Sequence, residues 1–336
     1  MQQDRIIEAS GIWKVFGDTA AINCAKSTDP TEEDVLASGG VAGLIDANID
    51  VYRGEIFMIM GLSGSGKSTL LRCLTGLYSS TRGKITIGDT ELTSATKAEM
   101  VKFRRKKISM VFQNFALLPH LNSLDNVAFP LRVQGTSVAE RRKIARDTLK
   151  LVGLEGKEGF FPSELSGGQQ QRVGIARSLV TNPDVWFLDE PFSALDPLIR
   201  REMQDEFRRL QEQLHKTIIF VTHDLEEAVR LGDRIVVMEK GRIVQIGTPE
   251  ELILKPVNDY VRKFVAGLSK DTVIKVRSIL EPLEKDAVDG QHVKADATLS
   301  EVTRQIVESV QPLKVEDAAG KIIGQVSRQG LAQWLT

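Results

Sequence analysis

The stretch GLSGSGKST, residues 61–69, constrains this chain more than any other. It follows the apolar run IFMIM at 56–60 and leads into STLLRCLTGL, which reads as a helix. Gly-x-x-x-x-Gly-Lys-Ser between a strand and a helix is a phosphate loop. Gly61, Ser63, Gly64, Ser65 and Gly66 let backbone N–H groups wrap a β-phosphate, and Ser68 and Thr69 open the helix. Lys67 reaches the β and γ oxygens, and the Ser68 hydroxyl can ligate Mg²⁺. Strands alternate with helices through much of the chain, which implies a largely parallel sheet and an α/β fold.

A second turn of the same kind lies further on. LSGGQQQR, residues 165–172, puts Ser166, Gly167, Gly168 and Gln169 in front of RVGIARSLV, a good helix. A glycine turn at a helix N-terminus leaves backbone N–H groups free for phosphate. One nucleotide site does not need two such turns from one chain.

Acidic and polar groups fall at strand ends. DVWFLDE at 184–190 reads as a fully buried strand behind Asn182-Pro183, ending in Asp189-Glu190. In a parallel sheet that places both carboxylates at the edge carrying the phosphate loop. Asp189 suits Mg²⁺, and Glu190 suits polarising a water for attack on a γ-phosphate. Gln113, read as the end of the strand ISMVFQ, can meet both Mg²⁺ and the attacking water. His223 follows TIIFVT; it is either a structural histidine or a hydrogen-bonding partner that senses the γ-phosphate.

Bulk properties narrow the remaining classes. The 336 residues suffice for one large domain and a small one. A net charge of −1 gives no global field for nucleic acid, so none is expected as a partner. Cys24 and Cys73 match no metal spacing and fit a reducing compartment. The start MQQDRIIEAS shows no secretory pattern, and no apolar run is long enough to span a bilayer.

Further elements are legible. IIEASGIWKVFG at 6–17 reads as an opening strand region, and short strands are expected around KITIGD and KISMVFQ. Asp29-Pro30-Thr31-Glu32 reads as an N-cap, a proline at N1 and a capping acid, so a short helix is expected there, closed by Gly39-Gly40. SVAERRKIARDTLKLVGL and QQQRVGIARSLV read as helices. TIIFVTHD and RIVVMEKGRIVQIG supply more strands, and a boundary is expected near Gly267–Asp271.

Taken in order and spacing, Gly61–Thr69, Gln113, Leu165–Gln169, Val185–Glu190, Ser193–Asp196 and His223 resemble the ATP-binding-cassette (ABC) ATPases over roughly residues 6–265. The resemblance implies a phosphate-loop ATPase fold: a RecA-like core with antiparallel β and helical subdomains. It places the ATPase domain at 1–268, with the helical subdomain at about 114–181. It implies ATP and Mg²⁺, with Ser68, Gln113 and Asp189 toward the metal and Glu190, His223 and Gln113 toward catalysis. It also answers the question of the second turn. In this family two chains are expected head to tail, each Ser166/Gly168 turn capping the γ-phosphate held on the partner's loop. Asp196 would lie at that interface, and Phe16 would stack on adenine, with Trp13 the weaker candidate.

Narrower stretches, among them RRKKISMVFQNFALLPHLNSLDNVAF and GTPEELILKPVNDYVRKFV, resemble the ATPase subunits of bacterial importers of glycine betaine, proline betaine, choline and trimethylamine N-oxide. The insertion after Phe16-Gly17 resembles that branch too. The resemblance implies a peripheral osmoprotectant-transport subunit at the cytoplasmic face of the inner membrane, with a separate permease and substrate-binding protein. An importer for another solute such as an amino acid, or a soluble non-transport ABC ATPase, stays open at this point. NFALLPHLNSLDNVAFPL is either core packing or a groove for a permease helix, with Phe115, Leu117 and Leu118 as candidates. The tail, 269–336, resembles a single cystathionine-β-synthase-type (CBS) motif, marked by VEDAAGKIIGQVS with an amphipathic helix on each side. Relatives of this branch often carry two.

Overall fold

In a computed structural model, residues 4–113, 116–283, 292–309 and 311–335 are described. The chain divides after Ile246 into two compact units.

The first unit opens with β1 (Arg5–Phe16), two short helices α1 (Thr19–Ala25) and α2 (Glu32–Ala37), and β2 (Val41–Tyr52). The helices form a cover over Trp13, Val15 and Ile45, into which they sink Ala21, Ala25 and Val35. Asp18 caps α1 by accepting from Ala20 N and Ala21 N. The helix expected to start at Asp29 starts two positions later. Thr31 Oγ1 accepts from Asp34 N at 3.1 Å while Asp34 reaches back to Thr31 N. That reciprocal box satisfies two end donors, and Pro30 is buried instead of opening the helix.

Strand β3 (Ile56–Gly61) leads through the glycine loop to α3 (Lys67–Leu74). Then come β4 (Arg82–Ile87), β5 (Thr90–Glu91), α4 (Lys97–Lys106) and β6 (Ile108–Val111). Three helices follow, α5 (Ser123–Val133), α6 (Val138–Leu151) and α7 (Gly167–Leu179), and they pack on one another. The unit ends with β7 (Val185–Asp189), α8 (Pro197–Leu214), β8 (Thr217–Val221), α9 (Leu225–Leu231), β9 (Arg234–Glu239) and β10 (Arg242–Gly247). Lys240 and Gly241, both at positive φ, turn the last two strands into a hairpin.

Two sheets result. One is antiparallel, in the order β2-β1-β4-β5. The other has the order β10-β9-β3-β8-β7-β6, with parallel pairing from β9 through β6. Every residue of β3 and β8 is buried, as expected for strands covered on both faces. Register matters most here. Val221 pairs with Ile59 on one side and with Asp189 on the other. The C-terminal ends of β3, β7 and β8 therefore lie level, and the loops that leave these three strands emerge at one edge.

The second unit holds α10 (Pro249–Leu254), α11 (Asp259–Val265), β11 (His292–Lys294), α12 (Leu299–Glu308), β12 (Leu313–Glu316), β13 (Ile322–Val326) and α13 (Arg328–Leu335). Its sheet runs β11-β12-β13, the first pair parallel and the second antiparallel. Leu299, Val302 and Ile306 form the apolar stripe of α12 over Val315 and Val326. The unit begins well before the boundary expected near Gly267. Leu254 packs on this core, and Glu250 Oε1 accepts from Lys275 N at 2.9 Å, so α10 groups with the tail.

Candidate functional site

The glycine loop is shaped by backbone contacts a side chain would block. Gly61 has φ +151°, and a Cβ there would collide with Met238 O; at Gly66, φ +100°, it would stand 2.8 Å from Gly43 O. Gly66 is also the N-cap of α3 and has no side chain to cap it, so the first N–H groups of that helix are open. Ser65 Oγ is buried with no hydrogen-bond partner among the described residues. Lys67 is buried and folds its ammonium onto Gly61 O at 2.8 Å and Leu62 O at 3.1 Å. Burial lowers its pKa, offset in part by the charges of Glu190 and Asp189. Open donors, an unpartnered hydroxyl and a desolvated cation together fit a polyphosphate. Ser63, Gly64 and Ser68 are exposed on the same loop, and Thr69 is half-buried.

Across the sheet edge stand the acids. Asp189 ends β7; burial raises its pKa, as does the neighbouring Glu190 charge, while Arg72 and Lys67 pull it down. Glu190 has φ +46°, a conformation that costs a non-glycine residue roughly 1–3 kcal/mol. The backbone around it is tied down. Glu190 N donates to Val221 O at 2.9 Å, and Glu190 O accepts from Ser193 N and, at 2.9 Å, from Ser193 Oγ. Its carboxylate Oε2 lies 3.0 Å from His223 Nδ1. The structure thus brings Lys67, Asp189, Glu190 and His223 together, as the strand-end argument requires. Gln113 is exposed and lies in a turn two residues beyond β6, so it does not end the strand as expected. Among the described residues no three His, Cys, Asp or Glu side chains converge on a metal position. The hard oxygen donors Ser68, Asp189 and Gln113 suit a Mg²⁺ that shares its shell with phosphate and water.

Phe16 is 39% exposed, and its ring meets Tyr78 edge-on at 5.7 Å. A Cβ on Gly43 would stand 2.7 Å from Phe16 Cε2 and 3.3 Å from Thr69 Cγ2, so ring and loop flank one glycine. Trp13, the weaker candidate, is only 6% exposed and belongs to the core under α1 and α2, which removes it as a stacking surface. Lys14 Nζ lies 5.2 Å from the Phe16 ring centre and 5.5 Å from that of Tyr78, and Arg72 bonds the Tyr78 hydroxyl at 2.9 Å. These cations supply charge beside an aromatic step that sequence order does not reveal.

The second glycine turn is a helix cap. Ser166 Oγ accepts from Gln169 N, and Gln169 Oε1 accepts from Ser166 N at 3.1 Å. Beside it, a Cβ at Gly167 would meet Leu195 Cδ2 at 3.8 Å, and one at Gly168 would meet Ile199 Cγ2 at 3.1 Å. Ser166 is exposed. Among the described residues no hydrogen bond or ion pair joins Ser166–Gln169 to Gly61–Thr69. Asp196 caps α8, accepting from Leu198 N and Ile199 N. Leu117 and Leu118 are half-buried, held by the buried Asn126, which bonds Leu118 N at 2.8 Å and Leu118 O at 3.0 Å. Phe115 lies outside the described residues. Exposed Phe112, Phe129 and Phe161 add aromatic surface to this half of the unit.

A further set was not visible in the sequence. Arg200 pairs with Asp224 at 3.5 Å and donates to Leu195 O at 3.1 Å, so α8 is tied to the segment after His223. Gln204 donates to the buried Glu227 at 3.0 Å. Gln171 donates to Pro191 O at 3.0 Å. Only the fold brings these partners together.

Residues 44–193 match the ABC transporter family model. The chain is similar to the trimethylamine N-oxide transport system ATP-binding protein TmoW of Ruegeria pomeroyi, 48% identical over 97% of this chain and 95% of that one. It is similar to the glycine betaine/proline betaine transport system ATP-binding protein ProV of Salmonella typhimurium, 47% identical over 81% of this chain and 69% of that one. Among solved structures it resembles the ATP-binding cassette MJ0796, a dimer in a post-hydrolysis state bound to ADP and Pi. That match has a TM-score of 0.60 at 33% identity and covers 72% of this chain and 98% of the other.

Proposed function

This chain belongs to the ATP-binding subunits of ABC transporters, and from that premise we propose that it powers an importer of trimethylamine N-oxide or a closely related amine. It hydrolyses ATP to drive transport, in the group that serves amine osmoprotectants. The observation that carries the narrower substrate is the near end-to-end match with TmoW, tail included. The match with ProV spans less of both chains, and it keeps glycine betaine as a second reading.

The α3 N-terminus, Gly61, Ser63, Gly64, Ser65, Gly66 and Thr69 hold the phosphates by backbone and hydroxyl donors, and Lys67 supplies the cation. Phe16 takes the adenine face. Ser68, Gln113 and Asp189 would hold Mg²⁺, which when bound would neutralise phosphate charge. Glu190 orients and polarises the attacking water, and His223, hydrogen-bonded to it, steadies that carboxylate and meets the γ-phosphate. Ser166, Gly167, Gly168 and Gln169 cap the γ-phosphate of a second chain, with Asp196 at the shared interface. The exposed Ser166 supports that reading, because among the described residues its turn makes no bond to the phosphate loop of its own chain. Such a dimer is two-fold symmetric, with each complete site built by two chains.

The ATPase core is the first unit, Met1–Ile246, shorter than the expected 1–268 because α10 packs with the tail, and about 114–181 is its helical subdomain. The remainder is a single CBS-like tail, a reading supported by the parallel-then-antiparallel sheet with α12 and α13 beside it. Among the described residues no helix is long and apolar enough to cross a membrane. The subunit works at the cytoplasmic face of the inner membrane. There the surface around Leu117 and Leu118 receives a permease helix, and a separate binding protein delivers the amine.

The test is purification in detergent from the native membrane, then reconstitution with whatever permease and binding protein accompany the subunit. Trimethylamine N-oxide should stimulate ATP hydrolysis more than glycine betaine or choline at equal concentration. Stimulation by glycine betaine alone moves the substrate to the second reading. Recovery without any polytopic partner removes the transport role.

A further inference from the structure

We propose that Gln171 is a positioning residue that holds Glu190 in its reactive conformation, and so links the cap one chain offers its partner to the water-polarising acid of its own site. The link between sites rests on the head-to-tail dimer proposed for this chain; the hold on Glu190 does not.

A left-handed backbone at a glutamate persists only where its surroundings over-determine it. Three of the ties on Glu190 come from the neighbouring strand β8 and from its own turn: Val221 O, Ser193 N and Ser193 Oγ. The fourth constraint comes from outside the sheet and the turn, from a helix. Gln171 lies on α7 and donates its Nε2 to the carbonyl of Pro191, the residue after Glu190, at 3.0 Å. Pro191 has a fixed φ, so gripping its carbonyl limits the peptide that follows Glu190. Gln171 is 0% exposed, which shields that bond from bulk solvent.

The amide is not there for packing. Its Oε1 is buried with no hydrogen-bond partner among the described residues. An apolar side chain of the same length would fill the space without leaving a buried acceptor unpaired. The nitrogen is the end of the amide that this site uses, since only the nitrogen can face the Pro191 carbonyl.

Position on the helix supplies the link. Ser166, the N-cap of α7, belongs to the turn that faces the partner's nucleotide. Gln171 follows it on the same rigid helix, about 7.5 Å along the axis. A shift of the cap on dimer closure therefore moves the Pro191 carbonyl without a compliant loop between them. Closing one site would set the acid of the other.

The experiment uses the full-length protein and two variants. Gln171→Met keeps the length and loses the donor. Gln171→Glu keeps the shape, and its carboxyl can donate to Pro191 O only when protonated, a form that burial favours. Steady-state hydrolysis and the affinity for a fluorescent ATP analogue are measured from about pH 6 to 9. For Gln171→Met, kcat should fall about tenfold while KM and analogue affinity stay within about twofold. Relative to wild type at each pH, Gln171→Glu should retain more activity at the acid end and lose it as pH rises. Wild-type kcat in Gln171→Met, or identical pH dependence in both variants, overturns the proposal. If Gln171→Met does not fold, the pH response of Gln171→Glu decides alone. The dimer is checked separately by light scattering of Glu190→Gln with ATP. A monomer there removes the link between sites and leaves the kcat result to stand or fall by itself.

Discussion

Glu227 shows how much buried charge this fold accepts beside its working edge. It lies on α9, is 5% exposed, and accepts from Gln204 Nε2 at 3.0 Å. Burial raises its pKa; bonds from Thr222 and Gln204 and the Arg200 charge pull it down, and Asp224 pushes it up. The folded chain thus holds this proton to a higher pH than the unfolded chain. Where the native state binds more protons, stability falls as pH rises. The loss begins at the ordinary carboxylate value and is complete above the raised folded value. Glu227→Gln removes the ionisation and keeps an acceptor for Gln204. Its stability relative to wild type should be lowest near about pH 4 and improve toward neutrality. Chemical denaturation at several pH values measures this. A constant offset at every pH would show that Glu227 ionises as freely in the folded chain as in the unfolded one.

At the scale of elements, α7 carries two functions at one end, and a substitution can separate them. Ser166 caps the helix, and replacing such a cap with alanine costs about 1 kcal/mol. Aspartate caps as well as serine and adds a negative charge that helix N-termini favour. If the turn faces a γ-phosphate, that charge is repelled. Ser166→Asp should therefore keep the wild-type Tm, or raise it slightly, while losing ATP-driven dimerisation and hydrolysis. Ser166→Ala should lower Tm and damage dimerisation less. Equal loss of Tm in both variants would mean that the cap is the whole role of Ser166. The same helix shows what a sequence discloses. Its start was legible because SGGQ is a local capping pattern, and β3, β7 and β8 were legible as short apolar runs. The QQQ triplet was not. Gln169 closes the capping box, Gln170 bonds Leu165 O and Gln171 bonds Pro191 O, and only the tertiary fold tells them apart. Helix α1 was missed because it has only seven residues and its apolar face, Ala21, Cys24 and Ala25, is small. Two alanines fitted under Trp13 make it. Tyr78, Lys14 and Arg72 were hidden for the same reason, since nothing local pairs them with Phe16.

On the scale of the whole molecule, the chain carries two cores of different purpose. The larger unites β1 to β4, α3 and the parallel strands from Ile6 to Met238. The smaller holds Ile274, Leu299, Val315, Val326 and Leu331. Every side chain assigned to nucleotide lies before Ile246, where the first unit ends. A ligand stabilises only the structure that unfolding must break to release it, by RT ln(1 + [L]/Kd), which is about 2.7 kcal/mol at a hundredfold excess over Kd. ATP should therefore raise the unfolding temperature of the first unit and leave the second where it was. Calorimetry on Glu190→Gln, in which turnover is suppressed, makes the measurement clean. Two transitions are expected, one moving upward with ATP concentration and one fixed. A chain lacking residues 247–336 identifies the moving transition, provided that shortened form still folds. A single transition that shifts as a whole would mean that the two cores melt together. The tail would then share in nucleotide binding energy by coupling alone, and any signal it sensed would reach the ATP site by the same route.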